Sequence, residues 1–287
     1  MESTSVRCAR RDDQGIQERA RLEIAGGNVM SGMAKKLIML MMAVLLSVGS
    51  INIAHAVGGN STDGKWEFTL APLFLWAQGI EGDSQIGPTT TPLNITFEDA
   101  FDNLEATFTV HYEMKRDALT LFAEYQFVNL TPAAEGPMNT ELDIDFKDTI
   151  AELGAAYWIF GTDRTNWEVL GGARYTKQDL DVSVKNGPKL VSVDENWWVG
   201  FVGGRFSAQL SKNWSFVGRA DFGVGSGKTN QIWNLNAMFD YRFKDWGSVF
   251  AGYKWMDYDY ENSDKGPSHF AYDATQQGPL VGLNFYW

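Results

Sequence analysis

The sequence predicts an all-β protein, an antiparallel up-and-down transmembrane β-barrel of about 10 strands, with 8 or 12 strands as alternatives. Three observations support this fold class. Apolar and polar residues alternate along most of the chain, which places each set on its own face of a strand rather than around a helix. Several alternating segments reach the nine to eleven or so residues that cross a bilayer. Short polar links also alternate with longer ones, as in membrane barrels.

The start of the chain predicts an export signal. A short basic stretch, Met33 to Lys36, precedes an apolar run from Leu37 to Val48, and Ala54-His55-Ala56 has the small-x-small pattern of a signal peptidase site. The run is too short for a spanning helix, which needs about 20 residues; a buried helix of a soluble domain is the alternative. The predicted division of the chain is residues 1–29, an N-terminal extension from a start codon assigned too far upstream; 30–56, the signal peptide; and 57–287, the barrel.

The exported part is acidic and lacks cysteine. The segment through Ala56 holds seven Lys/Arg and five Asp/Glu, which leaves 17 basic against 31 acidic residues, a net charge of −14. Phosphate binding requires a basic surface, so nucleic acid is excluded as a partner. Cys8, the single cysteine, falls in the removed segment. We expect no disulfide and no cofactor.

Each predicted strand has one apolar and one mostly polar face. The ten strands are 65–79, 104–116, 118–130, 144–160, 166–183, 195–210, 213–225, 230–243, 247–261 and 270–287. The short links between them are 115–117, 161–165, 211–213 and 244–246, and the long ones include 80–103, 131–143 and 262–269. Membrane barrels carry their short turns on the periplasmic side, so we place both ends of the barrel domain there.

Aromatic residues indicate which face meets lipid. A soluble lipocalin-like barrel or sandwich would turn its apolar face inward. Here aromatics lie at the ends of the apolar faces while Gly and Ala occupy many central positions, the pattern of two interfacial girdles. The aromatics are Trp66, Trp167, Trp214, Trp233, Tyr241, Tyr253 and Trp255. We therefore expect the apolar face to point outward.

The opposite face carries charges of both signs, which we expect to pair inside the lumen. This predicted network comprises Glu113, Glu124, Glu152, Glu168, Arg174, Arg205, Arg219, Asp221, Asp240, Arg242 and Lys254. We expect Arg205 and Arg219 to share carboxylates such as Asp221 and Glu168 and to block passage. Bulky Phe122, Trp158, Trp197 and Phe201 on the same faces leave little space in a ten-stranded lumen.

The last strand carries a resemblance to a known class. Pro279, Val281, Leu283, Phe285 and Trp287 share one face, which resembles the C-terminal assembly signal of outer-membrane barrels, although Phe is commoner than Trp at its end. Segments 66–72 and 97–104 resemble small proteobacterial outer-membrane β-barrels of unassigned function. The similarity in layout covers residues 57–287. It implies a location in the outer membrane, with the lipid bilayer, lipopolysaccharide, the barrel-assembly machinery and periplasmic chaperones as partners.

Two stretches resemble ligand-binding motifs without completing them. Gly225-Ser226-Gly227-Lys228-Thr229 matches the end of a phosphate-binding loop, but Phe222 replaces the first glycine and a strand follows instead of a helix. Asp257, Asp259, Glu261 and Asp264 offer oxygen ligands for calcium, but Asn262 stands where a calcium loop needs glycine. We interpret them as a flexible loop and an acidic loop rim, and predict no metal site.

The residues for catalysis are sparse. The predicted barrel domain has two histidines, His111 and His269, and only His111 shares a face with a carboxylate, Glu113. A base with its orienting group is one interpretation, and a structural hydrogen bond in the lumen is the preferred one. We predict no catalytic residue and no enzyme. The expected role is structural or surface interaction with a largely plugged lumen; a narrow porin-like channel for small solutes is the alternative, and an outer-membrane hydrolase ranks third.

Overall fold

The computed structural model describes residues 64–131, 133–136 and 140–287, with 133–136 and 140 described by their backbone alone. The predicted extension 1–29, the signal peptide 30–56 and Cys8 lie outside the described residues. No helix within these ranges is long and apolar enough to cross a membrane.

The described chain consists of fourteen strands, one short α-helix and a 3₁₀ turn at Gly266–Ser268. The strands are β1 Glu67–Ala71, β2 Phe74–Trp76, β3 Gly79–Ile86, β4 Thr89–Ile95, β5 Leu104–Arg116, β6 Leu119–Leu130, β7 Ala133–Gly136, β8 Thr140–Thr162, β9 Thr165–Val184, β10 Lys189–Gln209, β11 Trp214–Gly225, β12 Thr229–Lys244, β13 Gly247–Glu261 and β14 Phe270–Tyr286. The helix, α1, is Phe97–Asp102 and connects β4 to β5.

Antiparallel pairing closes the sheet into a ring. Neighbouring strands pair in chain order from β5 to β14, with β7 a small addition to β8. β1 pairs with β5 on one side and with β14 on the other. Because β1, β2 and β3 are successive parts of one strand of the wall, the ring has ten strands, and the predicted antiparallel barrel of ten strands is confirmed.

The faces are inverted relative to a soluble barrel, as the sequence predicts. Outward side chains are apolar and accessible, with Leu153 exposed by 69%. Inward positions of the same strands carry buried polar groups, such as Glu152 next to Leu153 and Glu168 next to Trp167. A closed ring leaves no strand edge along most of the wall, which is what a strand-built protein needs in lipid.

Three predicted boundaries are wrong. The first strand, predicted over 65–79, is interrupted at Pro72-Leu73, where proline cannot donate to a strand ladder. Ala71 and Phe74 both point inward and are buried, so the alternation shifts phase between them. β8 and β10 begin at Thr140 and Lys189 rather than at 144 and 195, because they extend past the aromatic girdle with charged residues outward.

Two of the predicted long loops contain regular structure. Within 80–103, β3 and β4 form a hairpin, and α1 follows it. Thr96 caps α1 through a reciprocal pair of hydrogen bonds with Asp99, in which Thr96 Oγ1 accepts from the Asp99 N–H and the Asp99 carboxylate accepts from the Thr96 N–H, each at 3.1 Å. Residues 131–143 include β7, which pairs with the start of β8.

Candidate functional site

The inward residues of β13 show how the lumen is filled. From the short-turn end upward, the buried ones are Ser248, Phe250, Lys254, Met256, Tyr258 and Tyr260. Phe250 borders a cavity, Lys254 belongs to a layer of charges, and the last three lie toward the long loops in an apolar cluster that also includes Phe250. The lumen is therefore filled in three layers of different chemistry.

The central charged layer contains a closed ring of ion pairs, here called the arginine ring. Arg174 binds Glu152 at 2.7 Å and Asp221 at 2.8 Å, and Arg219 binds the same two carboxylates at 2.9 and 2.8 Å. Two guanidinium groups thus alternate with two carboxylates, which leaves the ring without net charge. Such mutual pairing is what makes ions tolerable in a buried position.

Aromatic rings hold the arginine ring from one side. The Phe201 centroid lies 4.9 Å from the guanidinium carbon of Arg174 and 5.2 Å from that of Arg219. Phe122 also contacts Arg219, at 5.2 Å. These cation–π contacts add to the ion pairs and fix the planes of the two guanidinium groups.

A second group of charges, here called the histidine cluster, lies on the short-turn side. It comprises His111, Glu113, Glu124, Glu168, Arg205 and Lys254. Arg205 joins Glu113 and Glu168, the latter at 2.6 Å, and Lys254 lies 3.3 Å from Glu124. His111 links the two halves, since its Nδ1 is 2.8 Å from Glu124 and its Nε2 is 3.1 Å from Glu113.

His111 is placed to act as a cation. An ionised carboxylate can only accept hydrogen bonds, so two carboxylate neighbours favour a ring that donates from both nitrogens. The charge balance of the cluster agrees, because three carboxylates face only Arg205 and Lys254 besides the imidazole. A protonated His111 makes the cluster neutral.

Of the eleven residues of the predicted network, nine lie in the arginine ring and the histidine cluster; Asp240 and Arg242 do not. Asp240 accepts hydrogen bonds from Asn284 at 3.0 Å and from Ser248, nearer the short-turn end. Arg242 stacks on Tyr286 at 4.2 Å. These two residues follow the same alternation, but β12 pairs them with Phe250 and Ser248, two and three inward positions nearer the short turns than Lys254.

The expected sharing of carboxylates by Arg205 and Arg219 is wrong. The two arginines are direct partners across β10 and β11, yet each has its own acids. Arg205 takes Glu113 and Glu168, and Arg219 takes Glu152 and Asp221. Adjacent like charges are better separated by turning each toward acids on different strands.

An apolar cluster fills the lumen toward the long loops. Trp197 stacks on Tyr260 with ring centroids 4.1 Å apart, and Tyr258 meets Tyr272 edge-on at 5.7 Å. This aromatic layer comprises Trp197, Tyr258, Tyr260, Phe270 and Tyr272, with Ile232 and Met256 packed below it. The sequence predicts Trp197 in the lumen but misses the two tyrosines of β13, whose acidic neighbours Asp257 and Asp259 suggested a loop.

A cavity of about 220 Å³ occupies the short-turn end of the lumen. His111, Arg205, Arg219 and Lys254 line it, as do apolar Phe74 and Leu280. None of the aromatic layer reaches it. With the short turns on the periplasmic side, this periplasmic cavity ends at the charged layer.

The two incomplete motifs lie outside the lumen. Residues 226–228 form the bend between β11 and β12, without a following helix. Asp257 and Asp259 are exposed on the outer face of β13. Within 64–131 and 140–287, no three His, Cys, Asp or Glu side chains are placed to hold a metal ion.

The predicted assembly signal lies where the ring closes. Val281 and Leu283 face outward on β14, and Phe285 stacks on Trp246 at 5.9 Å. Trp287 exchanges two backbone hydrogen bonds with Phe68, at 2.8 and 3.2 Å, and its ring stacks on Phe68 at 5.7 Å. The residues of the signal thus contribute to the β14–β1 closure.

Comparison with known proteins gives a family and a set of remote structures. The family described as "Protein of unknown function, DUF481" matches residues 102–270. No curated protein matches the sequence significantly.

Three solved structures illustrate the remote likeness. The outer membrane protease OmpT of Escherichia coli has 7% identity and a TM-score of 0.48, over 80% of this chain and 98% of that one. The attachment invasion locus protein Ail of Yersinia pestis has 9% identity and a TM-score of 0.33, over 77% and 97%. The outer membrane protein OprG of Pseudomonas aeruginosa has 10% identity and a TM-score of 0.33, over 82% and 99%. At these identities and TM-scores, the functions of these proteins are not transferred to this chain. The outer-membrane location rests on the closed strand ring and its apolar outer face.

Proposed function

This chain belongs to the DUF481 family, whose function is unknown, and from the filling of its lumen we propose that it is a non-conducting outer-membrane barrel. Its role is structural or lies in surface interaction, carried by the outer wall and the long loops. One observation carries the proposal: the charged layer and the aromatic layer lie one above the other across the same lumen.

The two layers support a seal for different reasons. The arginine ring and the histidine cluster occupy the section above the periplasmic cavity with ion pairs at hydrogen-bonding distance. A permeating ion would have to break those pairs. The aromatic layer above offers stacked rings and no charge of its own, so a hydrated ion would also lose its water there.

A narrow channel is the second candidate, and the periplasmic cavity is the observation in its favour. The cavity already brings water-accessible space as far as Arg219 and Lys254. Displacement of the aromatic layer would leave a charged constriction of the kind that selects ions in known pores. Because both layers fill the lumen in the structure, the non-conducting barrel is favoured over the channel.

We propose no enzymatic activity. A histidine that acts as a general base needs a ring nitrogen free to accept a proton, and both ring nitrogens of His111 are engaged by carboxylates. His269 lies in the loop between β13 and β14, beside Glu261 at 3.5 Å and the Asp264 carbonyl oxygen at 3.2 Å.

The partners follow from the location. The outer face meets the bilayer, and the strands that extend beyond it, β8 to β10, carry exposed ion pairs such as Lys177 with Asp194 where lipopolysaccharide head groups lie. We also propose that the barrel-assembly machinery and periplasmic chaperones handle the chain before insertion, as the form of β14 suggests.

Conductance in planar lipid bilayers tests the proposal. Refolded wild-type protein in concentrated KCl should show no stable open level. The combined variant Trp197→Ala, Tyr258→Ala and Arg219→Ala removes parts of both layers and should show one. A large ohmic conductance in the wild type would establish the channel instead. Comparison with Trp214→Ala, an outward aromatic, controls for imperfect insertion.

A further inference from the structure

The wall of the barrel is interrupted at one place, here called the seam. β5 pairs with β1 only from His111 to Lys115, and within the described residues no ladder joins its other half, 104–110, to β2, β3 or β4. The outer edge of β4 has no strand partner in that part of the chain either. The seam lies in the half of the wall toward the long loops.

One side chain spans the seam. Thr109 Oγ1 accepts a hydrogen bond from the Phe74 N–H at 2.8 Å and also contacts the Phe74 carbonyl oxygen. On the outer surface Leu73 is exposed by 62%, next to the break at Pro72. The seam is thus apolar outside and is bridged by one threonine hydroxyl rather than by a ladder.

A small chamber lies directly behind the seam. It has a volume of about 20 Å³ and is bordered by Trp76, Gln78, Thr107, Thr109 and Asp148, among others. Within the described residues, Trp76 Nε1 and Gln78 Oε1 have no hydrogen-bond partner, although these residues are exposed by only 7% and 5%. Buried polar atoms without partners are costly, so a donor and an acceptor left open at one cavity favour a bound polar group.

We propose that the seam binds a lipid chain that carries a hydroxyl group, with the hydroxyl in the chamber and the chain in the bilayer against Leu73. A chamber of this size admits one polar heavy atom. A hydroxyl can accept from the Trp76 N–H and donate to Gln78 Oε1, so it uses both kinds of unpartnered group.

Charged end groups fit less well. A carboxylate would face Asp148, whose other oxygen already accepts from Gln276 at 3.1 Å. An ammonium would leave the Trp76 N–H without a partner and would lie near Lys254, whose Nζ is 4.6 Å from the Trp76 ring centroid. The neutral hydroxyl is therefore the preferred end group.

The test measures thermal unfolding of the full-length protein in detergent micelles that contain 1-dodecanol, n-dodecane or dodecanoate at equal mole fraction. Dodecanol should raise the Tm in proportion to its content, and the other two should not. Trp76→Phe removes the N–H and keeps the ring, and should weaken the apparent affinity for dodecanol by about two- to tenfold, the equivalent of one buried hydrogen bond.

A matched control is available in Trp197→Phe. Trp197 is equally buried and its Nε1 is also unpartnered, but it lies in the aromatic layer and does not border the chamber. This variant should keep the full response to dodecanol. If Trp76→Phe does not fold, Gln78→Leu serves in its place.

Three results would overturn the proposal. No effect of dodecanol on the wild type would mean that the chamber holds water only. An equal effect of dodecane would mean that the hydrocarbon chain acts by nonspecific partitioning and that the hydroxyl is not recognised. Equal losses in Trp76→Phe and Trp197→Phe would mean that the chamber is not the site. The proposal is independent of whether the lumen conducts.

Discussion

Arg174 and Arg219 bind the same pair of acids, Glu152 and Asp221, and so close a ring of four charges across β8, β9 and β11. Each member has two partners of opposite charge within the ring. Removal of any one leaves two interactions unmade and the remaining three residues with a net charge. The ring should therefore respond to single substitutions more strongly than isolated pairs do.

The first prediction concerns Arg219→Ala. Loss of one partner from a fully buried ion pair costs about 3–5 kcal/mol, and the side-chain exposure of Arg219, 10%, reduces that figure only slightly. Unfolding in detergent should shift down, by about 2–4 °C per kcal/mol for a chain of this size. Arg116→Ala is the control, because Arg116 is half exposed and 3.9 Å from Asp117. Equal melting temperatures for the two variants would show that the arginine ring does not stabilise the barrel.

A second prediction concerns closure of the barrel. Deletion of 285–287 removes the last two register pairs between β1 and β14 and both backbone hydrogen bonds of Trp287. Unpaired backbone groups in lipid cost several kcal/mol each, so the ring should fail to close. Export should continue while the chain is degraded in the periplasm, as measured by immunoblot of cell fractions.

Trp287→Phe provides the matched control for that deletion, because it keeps an aromatic ring beside Phe68. It should reach the outer membrane at near-normal levels. Normal levels of the deletion variant would show that assembly depends on other residues.

A third prediction concerns processing. The full-length precursor should be cut after Ala56, and the product should fractionate with outer membranes and migrate anomalously on gels unless boiled. N-terminal sequencing and membrane fractionation measure both. Replacement of Ala54 and Ala56 by bulky residues should leave the precursor uncut. Recovery of wild-type protein from the periplasm without detergent would contradict the barrel's insertion.

A fourth prediction concerns acid and the helix α1. Hydrogen bonds from Thr96 lower the pKa of Asp99 below its usual 3.8. A carboxyl whose pKa is lowered by folding stabilises the folded form above its unfolded pKa, and that contribution is lost as the pH falls through the folded value. The protection of the α1 amides, relative to the exchange rate of an unstructured chain at the same pH, should therefore fall only below about pH 4, the usual range of an aspartate. The Asp99→Asn variant should lack this loss of protection at low pH. The Asp102→Asn variant should keep it, because the replaced residue does not cap α1.

The sequence predicts the wall well because alternation with period two is a direct consequence of strand geometry. That rule places Trp167 and Glu168 on opposite faces, and the aromatic girdles add that Trp167 points outward and Glu168 inward. It fails at Pro72-Leu73, where the strand is interrupted and the alternation shifts phase. At Tyr258 and Tyr260 the alternation is right, because both lie on the inward face of a strand that ends at Glu261 as predicted, but their acidic neighbours wrongly indicate a loop rim.

The pairing inside the lumen is predictable only in part. Nine charged residues fall into the central layer, but alternation does not give the register between distant strands. Glu124 and Lys254 meet at 3.3 Å although 130 positions separate them in the chain. The chamber behind the seam has no signal in the sequence at all, because Trp76 and Gln78 of the first wall strand meet Asp148 of β8 only in the closed barrel.

The periplasmic cavity gives the protein two unlike ends. On the periplasmic side the barrel presents a cavity, and His111 and Lys254 line its inner end. On the side of the external medium the lumen is filled by the stacked rings of the aromatic layer. A water-soluble reagent for carboxylates should therefore modify the lumen when it is added on the short-turn side of a bilayer that contains oriented protein, and should spare it when added on the long-loop side. With the proposed seal, the floor of the cavity experiences the ionic conditions of one compartment alone.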